Sequence, residues 1–196
     1  MNYLFRLLIA LALQGMITTA VFADDLSARV DEVYGGNFSL QAPDGPVSLE
    51  QYRGRVVLIF FGFTSCPDIC PIALSVISRV FAQLDAEELE KVGALFVTLD
   101  PERDTPEVLL EYTGYFHPGI VGLTGHIDDI KQFASDYGIH FEKREMASSP
   151  IGYGISHPPD ILVVSQNGQL LKSRIKPEHG VDEILGYLRS LLATQG

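Results

Sequence analysis

Short apolar runs and longer stretches with helical spacing alternate along most of the chain. The run RVVLIFFGF at residues 55–63 is almost entirely apolar and rich in β-branched and aromatic side chains, which is typical of a strand buried on both faces. Pro71 then opens the stretch PIALSVISRVFAQL, in which apolar residues recur at helical spacing from Ile72 to Leu84. This part of the chain therefore predicts a buried strand that runs into an amphipathic helix.

A second strand and helix are predicted immediately afterwards. ALFVTL at residues 94–99 has the composition of another buried strand. We predict that Asp104 caps the helix that follows, because Pro106 and Glu107 suit the first turn of a helix. This helix is expected to end at about Tyr115.

The remaining patterns complete the alternation. They predict a strand at residues 120–123 and a helix at about 127–137. They also predict a hairpin at 160–175 and a final helix at about 181–192. Asn167-Gly168 is a typical hairpin turn, and FSLQAPDGPVSL at residues 38–49 predicts another hairpin around Pro43-Asp44-Gly45. Strands that alternate with helices indicate an α/β fold with a mostly parallel sheet and an antiparallel hairpin at its end.

Composition limits the possible functions. A chain of 196 residues suits one domain, and an apolar fraction of 46% allows a real core. The formal net charge of −11 argues against a nucleic-acid partner, because the phosphate backbone would repel an acidic protein. The charge is expected to form a solvated surface, with a docking face for a basic partner as the alternative.

The first 23 residues differ from the rest of the chain. They contain a single charged side chain, Arg6, followed by a short apolar run that ends at Ala23 before two aspartates. This arrangement predicts a secretory signal peptide, residues 1–23, with an uncleaved membrane anchor formed by residues 5–22 as the alternative. Either arrangement places the domain outside the cytoplasm, where disulfides can persist.

The domain boundaries follow from the same pass along the chain. Residues 24–36 are predicted to be a leader that ends in two glycines. Residues 37–196 are predicted to form one folded domain, since no internal repeat or low-complexity stretch interrupts them.

Both cysteines lie in FFGFTSCPDICP, residues 60–71, directly after the first buried strand. Cys66 falls in the predicted turn and Cys70 at or near the start of the helix. The carboxyl end of such a strand is where open α/β sheets bind and react, and the free amides of a helix N-terminus favour thiolate. Because the cysteines are four residues apart, both sulfurs return to one side of a helical turn, where they can grip one ion or form a disulfide.

Three roles for this pair remain open. A structural disulfide would close a very small loop and add little stability, because the entropic gain grows with loop length. A thiol–disulfide exchanger is also possible, although the commonest redox motif has two spacer residues rather than three. A metal site would need at least one further ligand from another part of the chain.

The third ligand has to be sought among five histidines, His117, His126, His140, His157 and His179. Four of them lie at predicted helix edges, turns or polar loops, which are ordinary surface positions. His157 instead precedes the strand predicted at 160–165, and parallel-sheet neighbours would bring its loop beside the cysteine loop. Two thiolates and an imidazole suit Cu(I), or Cu(II) with a further oxygen or water, whereas structural zinc would require a fourth ligand.

Three segments resemble a known family. They are GFTSCPDICP (62–71), VTLDPERDTPEVLLEYTGYFHPGIVGLTG (97–125) and YGISHPPDILVVSQNGQLL (153–171). Together they resemble the Sco/SenC family of thioredoxin-fold copper proteins that help to assemble cytochrome c oxidase. The resemblance extends from about residue 36 to residue 192, and the cysteine decapeptide is highly specific.

The resemblance implies a fold and a set of site residues. It implies a thioredoxin-like α/β fold, with a central mixed sheet flanked by helices and an N-terminal β-hairpin extension. The copper ligands of the family match Cys66, Cys70 and His157. Asp68 matches the usual acidic spacer residue, and Asp100-Pro101 matches a stretch that lines the same end of the fold.

Two departures from the family pattern surround the histidine. Family members usually have Asp before the ligand, where this chain has Ser156, and a small polar residue after it, where this chain has Pro158-Pro159. The loss of the Asp removes a nearby negative charge and a hydrogen-bonding partner for the ligand, and the prolines stiffen the loop. These changes bear on copper affinity and leave room for a reductase role.

The resemblance also implies a function. We expect a periplasmic chaperone that delivers copper, as Cu(I) or Cu(II), to the dinuclear copper centre of cytochrome c oxidase subunit II or to another copper protein. The alternative is a thiol–disulfide oxidoreductase that reduces the cysteines of that centre, with Cys66 and Cys70 as its redox pair and a thiol reductant as a second partner. We expect a monomer, either soluble after signal cleavage or anchored to the inner membrane.

Overall fold

The computed structural model describes residues 35–145 and 152–193. The predicted signal segment, residues 1–23, and all but the end of the predicted leader lie outside the described residues. Within the described ranges, no helix combines the length and the apolar character needed to cross a bilayer.

Within the described residues, the predicted strands and helices occur in the predicted order, with additional elements between them. The strands are β1 (Ser39–Ala42), β2 (Gly45–Ser48), β3 (Val56–Gly62), β4 (Val92–Thr98), β5 (Ile120–Leu123), β6 (Glu142–Glu145), β7 (Tyr153–Ser156), β8 (Ile161–Val164) and β9 (Leu170–Ile175). The α-helices are α1 (Ile69–Phe81), α2 (Ala86–Glu90), α3 (Pro106–Phe116), α4 (Ile127–Asp136) and α5 (Val181–Ala193). A 3₁₀ turn spans Leu49–Tyr52.

The central sheet has five strands in the order β5-β4-β3-β8-β9. Strands β5, β4 and β3 are parallel, while β8 runs antiparallel to β3 and pairs antiparallel with β9. This arrangement confirms the predicted α/β fold, in which a mixed sheet ends in an antiparallel hairpin. Strand β3 lies at the centre of the sheet, and all seven of its residues are buried as its composition predicts.

Two apolar clusters cover the two faces of the sheet. Because successive side chains of a strand point to opposite faces, Leu58 and Phe60 belong to the cluster beneath α1, α3 and α5. Ile59 and Phe61 belong to the other cluster, which includes residues of α4 and of the N-terminal hairpin. Full burial of such side chains contributes about 1.5–3 kcal/mol each, so β3 anchors both layers.

The N-terminal hairpin is attached to the edge of the second layer. Strands β1 and β2 pair around Pro43 and Asp44, as the turn sequence predicts. Gln41 and Thr124 exchange two backbone hydrogen bonds of 2.7 and 2.9 Å, and Leu40 is buried in the second cluster. The hairpin is therefore the predicted N-terminal extension of the fold.

Two helix starts differ from the prediction. Helix α1 begins at Ile69, two residues before Pro71, so that Cys70 lies inside its first turn. Asp104 does not cap α3, because the side chain of Thr105 accepts the hydrogen bond from the Val108 amide. The carboxylate of Asp104 turns inward instead and is fully buried.

One further α-helix and two further strands were not predicted. Helix α2 has only five residues, too few for helical periodicity to appear, but a capping box in which Asp85 and Glu88 exchange hydrogen bonds of 2.9 and 3.0 Å marks its start. Strands β6 and β7 form a separate two-stranded sheet. The residues of β6 are all exposed and charged, so they show no apolar alternation.

Candidate metal centre

The two cysteines lie where β3 runs into α1. Cys66 is half-buried in the connecting turn, and its amide donates a hydrogen bond of 3.2 Å to the carbonyl of Phe63. Cys70 is fully buried against the core beneath α1. Gly62 lets the sulfur approach the strand, since a Cβ atom at this position would lie 2.7 Å from Cys70 Sγ.

A buried carboxylate holds the cysteine turn from the neighbouring connection. Asp104 accepts hydrogen bonds from the Thr64 amide at 3.0 Å and the Thr64 hydroxyl at 2.5 Å. It also accepts a hydrogen bond of 2.5 Å from the hydroxyl of Thr98, at the end of β4. These three donors offset the cost of burying the carboxylate, and they fix the turn two residues before Cys66. The hydrophobic pattern contains no signal for this role.

His157 lies in the short connection between β7 and β8. Its predicted proximity to the cysteines is confirmed, but the predicted reason is wrong, because β8 pairs with β3 antiparallel rather than parallel. In the observed register Ile161, at the start of β8, lies opposite Phe60, near the end of β3. Antiparallel pairing brings the residues that precede β8 to the carboxyl end of β3, whereas parallel pairing would have carried them to the opposite edge of the sheet.

The ring of His157 is oriented by two aromatic rings and one carbonyl. Its centroid lies 6.0 Å from the ring of Phe60 and 6.1 Å from that of Phe63, both in edge-to-face arrangements. Nδ1 lies 2.9 Å from the carbonyl oxygen of Pro158, which can only accept, so the proton is assigned to Nδ1. Nε2 then presents its lone pair to the cysteines and lies 3.7 Å from Cys70 Sγ.

The structure thus brings together the three residues that the sequence singled out. The sulfurs of Cys66 and Cys70 and a ring nitrogen of His157 all lie within 4.8 Å of one another. Among the described residues, this is the one group of three or more His, Cys, Asp or Glu side chains with such spacing. The other four histidines lie outside it: His117 and His126 at the edges of α3 and α4, His140 between α4 and β6, and His179 in the turn before α5.

The two cysteines occupy different electrostatic environments. The pKa of Cys66 is lowered to about 3, chiefly because the thiol of Cys70 donates a hydrogen bond to its sulfur, and backbone amides of Asp68 and Cys70 add to the effect. The pKa of Cys70 is raised, because its thiol proton is held in the hydrogen bond to Cys66 and because the side chain is buried. At neutral pH the pair therefore carries one thiolate and one thiol.

The donor set fits a soft, three-coordinate metal ion. Thiolate sulfur and neutral imidazole nitrogen suit Cu(I), and also Cu(II) when an oxygen ligand completes the set. Structural zinc is almost always bound by four protein ligands, and no fourth His, Cys, Asp or Glu belongs to this group within the described residues. The half-buried positions of Cys66 and His157 leave one side of the site accessible.

Two other residues named from the family pattern, Asp68 and Asp100, lie next to the ends of α1 and β4. Asp68 is exposed and immediately precedes α1. Asp100 is nearly buried after β4, where it forms an ion pair with Arg103 and accepts a hydrogen bond of 2.8 Å from the hydroxyl of Tyr153. Tyr153 was not singled out from the sequence, because nothing in the local pattern indicates that its hydroxyl bonds to Asp100.

Comparison with known proteins agrees with this geometry. Residues 27–193 match the model of the SCO1/SenC family. This chain belongs to the SCO1/SenC family. A solved structure of ScoI from Bradyrhizobium japonicum with copper bound is 31% identical to it, covers 81% of this chain and 99% of its own, and superposes with a TM-score of 0.73.

Two curated SCO1/SenC relatives are longer than this chain. A protein of Stutzerimonas stutzeri described as a putative copper-binding protein is 39% identical over 127 residues, which are 65% of this chain and 61% of that protein. The mitochondrial SCO2 protein of Saccharomyces cerevisiae is 34% identical over 157 residues, which are 80% of this chain and 52% of that protein. The chain therefore spans between half and two thirds of the length of these relatives.

Proposed function

We propose that this SCO1/SenC protein is a copper chaperone that binds one copper ion through Cys66, Cys70 and His157. The observation that carries the proposal is the convergence of two sulfurs and one imidazole nitrogen within 4.8 Å. The copper-bound structure of the Bradyrhizobium japonicum relative supports copper as the metal. The family resemblance supports cytochrome c oxidase subunit II, with its dinuclear copper centre, as the recipient.

Delivery would proceed by exchange of ligands. Cys66 and His157 are partly exposed, whereas Cys70 is fully buried, so an incoming thiolate or imidazole reaches the copper from the side of Cys66 and His157. These two ligands would be replaced first and Cys70 last. We place this exchange in the periplasm, on the strength of the signal-like residues 1–23, with residues 37–196 as the working domain.

The ligand set can be tested by substitution in the reduced full-length chain. The wild-type protein should bind one copper per chain, and Cys66→Ala, Cys70→Ala and His157→Ala should each weaken binding. The loss should exceed the roughly 10–100-fold typical of changes to groups that only support a ligand, because each variant removes a donor atom. Competition with copper chelators measures the affinities, and His126→Ala, at the edge of α4, is the matched control.

Two results would contradict this assignment. Wild-type affinity in His157→Ala would remove the histidine from the site. Failure of the reduced wild-type protein to bind copper in competition with a weak chelator would reject the chaperone function.

A second candidate function is supported by the charge difference between the two cysteines. In a thiol–disulfide oxidoreductase, the thiolate of Cys66 would attack a disulfide of the partner and form a mixed disulfide, releasing one partner thiolate. Cys70 would then lose its proton and displace the second partner thiolate. The partner would leave reduced and this chain oxidised, and a thiol reductant would be needed to restore it.

A further inference from the structure

The strand that leads to His157 is fastened to the body of the protein at its other end. We propose that Tyr153, four residues before His157, is a positioning residue that holds the imidazole in reach of the cysteines. It does so by latching β7 to the connection between β4 and α3. The inference rests on the proposed function, because it assigns the role of Tyr153 through His157 as a metal ligand.

The hydrogen bond of Tyr153 ends on a buried carboxylate that is itself held in place. The hydroxyl of Tyr153 donates a hydrogen bond of 2.8 Å to Oδ1 of Asp100 and lies 3.4 Å from Oε2 of Glu102. Asp100 is 3% exposed, and its own amide donates a hydrogen bond of 2.9 Å to the hydroxyl of Thr98, in β4. The phenol is thus tied, through Asp100, to the end of β4.

The tyrosine ring makes a second set of contacts. The guanidinium carbon of Arg103 lies 3.8 Å from the ring centroid and Nζ of Lys143 lies 3.7 Å from it, both within the range of cation–π attraction. Lys143 belongs to β6, and its Nζ also forms an ion pair of 3.0 Å with Glu102. The contacts therefore join both strands of the β6–β7 hairpin to the same connection.

Among the described residues, strands β6 and β7 make few other contacts with the rest of the protein. Strands β6 and β7 form their own two-stranded sheet rather than joining the central sheet, and every residue of β6 is exposed. A two-stranded hairpin is marginally stable by itself. On β7, Ile155 packs against both apolar clusters, so within the described residues Tyr153 and Ile155 both attach this strand to the rest of the protein.

The alternation of side chains along β7 explains how the Tyr153 hydrogen bond can affect the position of His157. Residues at i, i+2 and i+4 of a strand lie on one face. Tyr153, Ile155 and His157 form such a series, with His157 one residue beyond the end of β7. The hydrogen-bonded hydroxyl of Tyr153 and the packed side chain of Ile155 therefore fix the direction in which the chain carries His157 out of β7.

The cysteines do not depend on this latch. Cys66 lies in the connection between β3 and α1, which Asp104 holds through Thr64, and Cys70 follows in the first turn of α1. Loss of the latch should therefore loosen the nitrogen donor and leave the sulfur donors in place. Cu(I) can be held by two thiolates, whereas Cu(II) prefers the larger set that includes nitrogen, so the two oxidation states should respond differently.

The experiment replaces Tyr153 by Phe in the full-length reduced chain, which removes one hydroxyl and keeps the ring. We expect Cu(II) affinity to fall about tenfold, within the range for residues that support a ligand, and Cu(I) affinity to fall less. The histidine nitrogen coupling in the electron paramagnetic resonance spectrum of the Cu(II) form should weaken. Tyr115→Phe is the matched control, since Tyr115 is 86% exposed on α3.

A second comparison separates positioning from general destabilisation. In a His157→Ala background, Tyr153→Phe should have no further effect on Cu(II) affinity, because its target is already absent. An equal loss in both backgrounds would overturn the inference. So would wild-type affinity and an unchanged histidine signal in Tyr153→Phe, while copper binding by the wild-type protein would still support the proposed function.

A metal-free measurement tests the latch independently of copper. Amide hydrogen exchange in β7 should speed up about tenfold in Tyr153→Phe, while exchange in α5 should stay unchanged, because only the hairpin loses an attachment. Unchanged exchange in β7 would overturn the inference. If the wild-type protein bound no copper while this exchange effect persisted, the proposed function would fail and the latch would remain.

Discussion

At the scale of single residues, the site shows how one side-chain type acquires two chemical states. Cys66 and Cys70 are four residues apart, yet the pKa of the first is lowered to about 3 and that of the second is raised. The difference arises because the thiol of Cys70 donates a hydrogen bond to the sulfur of the more exposed Cys66, and because Cys70 is buried. Cys66 is therefore the nucleophile and Cys70 the hydrogen-bond donor because of their positions, although both residues are cysteines.

The pH profile of thiol reactivity tests this division in the metal-free, reduced protein. Alkylation of Cys66 should be nearly constant from pH 5 to pH 8, whereas a thiol of ordinary pKa would speed up roughly several hundred-fold over that range. In Cys70→Ala the pKa of Cys66 should rise, because the main hydrogen-bond donor is lost. Mass spectrometry of alkylated peptides measures both rates, and a Cys66 rate that climbs with pH would contradict the assignment.

The pKa shifts of Cys66 and Cys70 change the free energy of unfolding in opposite directions as the pH rises. Because the pKa of Cys66 is lower when folded, its contribution to the free energy of unfolding is fully present above its unfolded pKa, near 8.5, and is lost as pH falls towards 3. The pKa of Cys70 is raised, so its contribution is present below the unfolded value and is lost as pH rises above it. The two cysteines together therefore stabilise the native fold most when they share a single proton.

At the scale of elements, the site depends on how closely α1 approaches β3. Gly62 ends the strand, and a Cβ atom there would lie 2.7 Å from Cys70 Sγ and 2.9 Å from the ring of Phe96. The absence of a side chain lets the first turn of the helix bring Cys70 down onto the sheet.

A Gly62→Ala substitution should disturb both packing and binding. The added methyl group should lower the free energy of unfolding by about 1–3 kcal/mol, the usual cost of overpacking, and should weaken copper binding because it displaces the Cys70 sulfur. Gly114→Ala, within α3 and with no atom near the added methyl, should stabilise by up to about 1 kcal/mol. Urea denaturation measures both, and equal effects of the two substitutions would exclude a close-packing role for Gly62.

At the scale of the whole molecule, three connections meet at one end of the central sheet. Cys66 lies in the β3–α1 turn, Cys70 in the first turn of α1, and His157 in the β7–β8 connection. The β4–α3 connection contacts the β3–α1 turn through Asp104 and strand β7 through Asp100.

Chaperone and oxidoreductase can be separated by the final state of the thiols. When copper-loaded protein is mixed with a reduced peptide of the oxidase copper site, chaperone action should move the copper and leave Cys66 and Cys70 reduced. With the oxidised peptide and no copper, oxidoreductase action should leave them as a disulfide. His157→Ala should lose delivery but keep both thiols, and thiol exchange without any metal transfer would favour the oxidoreductase.

The sequence by itself determined most of the elements and two of the three proposed ligands. Periodicity depends only on neighbours along the chain, so β3, α1, the β8–β9 hairpin and the N-terminal hairpin could be predicted from local pattern. The cysteine pair could be placed for the same reason, because the spacing of Cys66 and Cys70 is local. His157 was singled out by its place before a buried strand and strengthened by the family resemblance.

The tertiary structure alone decided how distant segments meet. The direction of β8 beside β3 is absent from either strand's composition, and the parallel pairing expected from the sequence was wrong. Asp104 reaches Thr64 across 40 positions and Tyr153 reaches Asp100 across 53, so no local pattern could reveal either contact. Such partners are chosen by the packing of the whole sheet, because a buried carboxylate or phenol is stable only where other parts of the chain supply its hydrogen bonds.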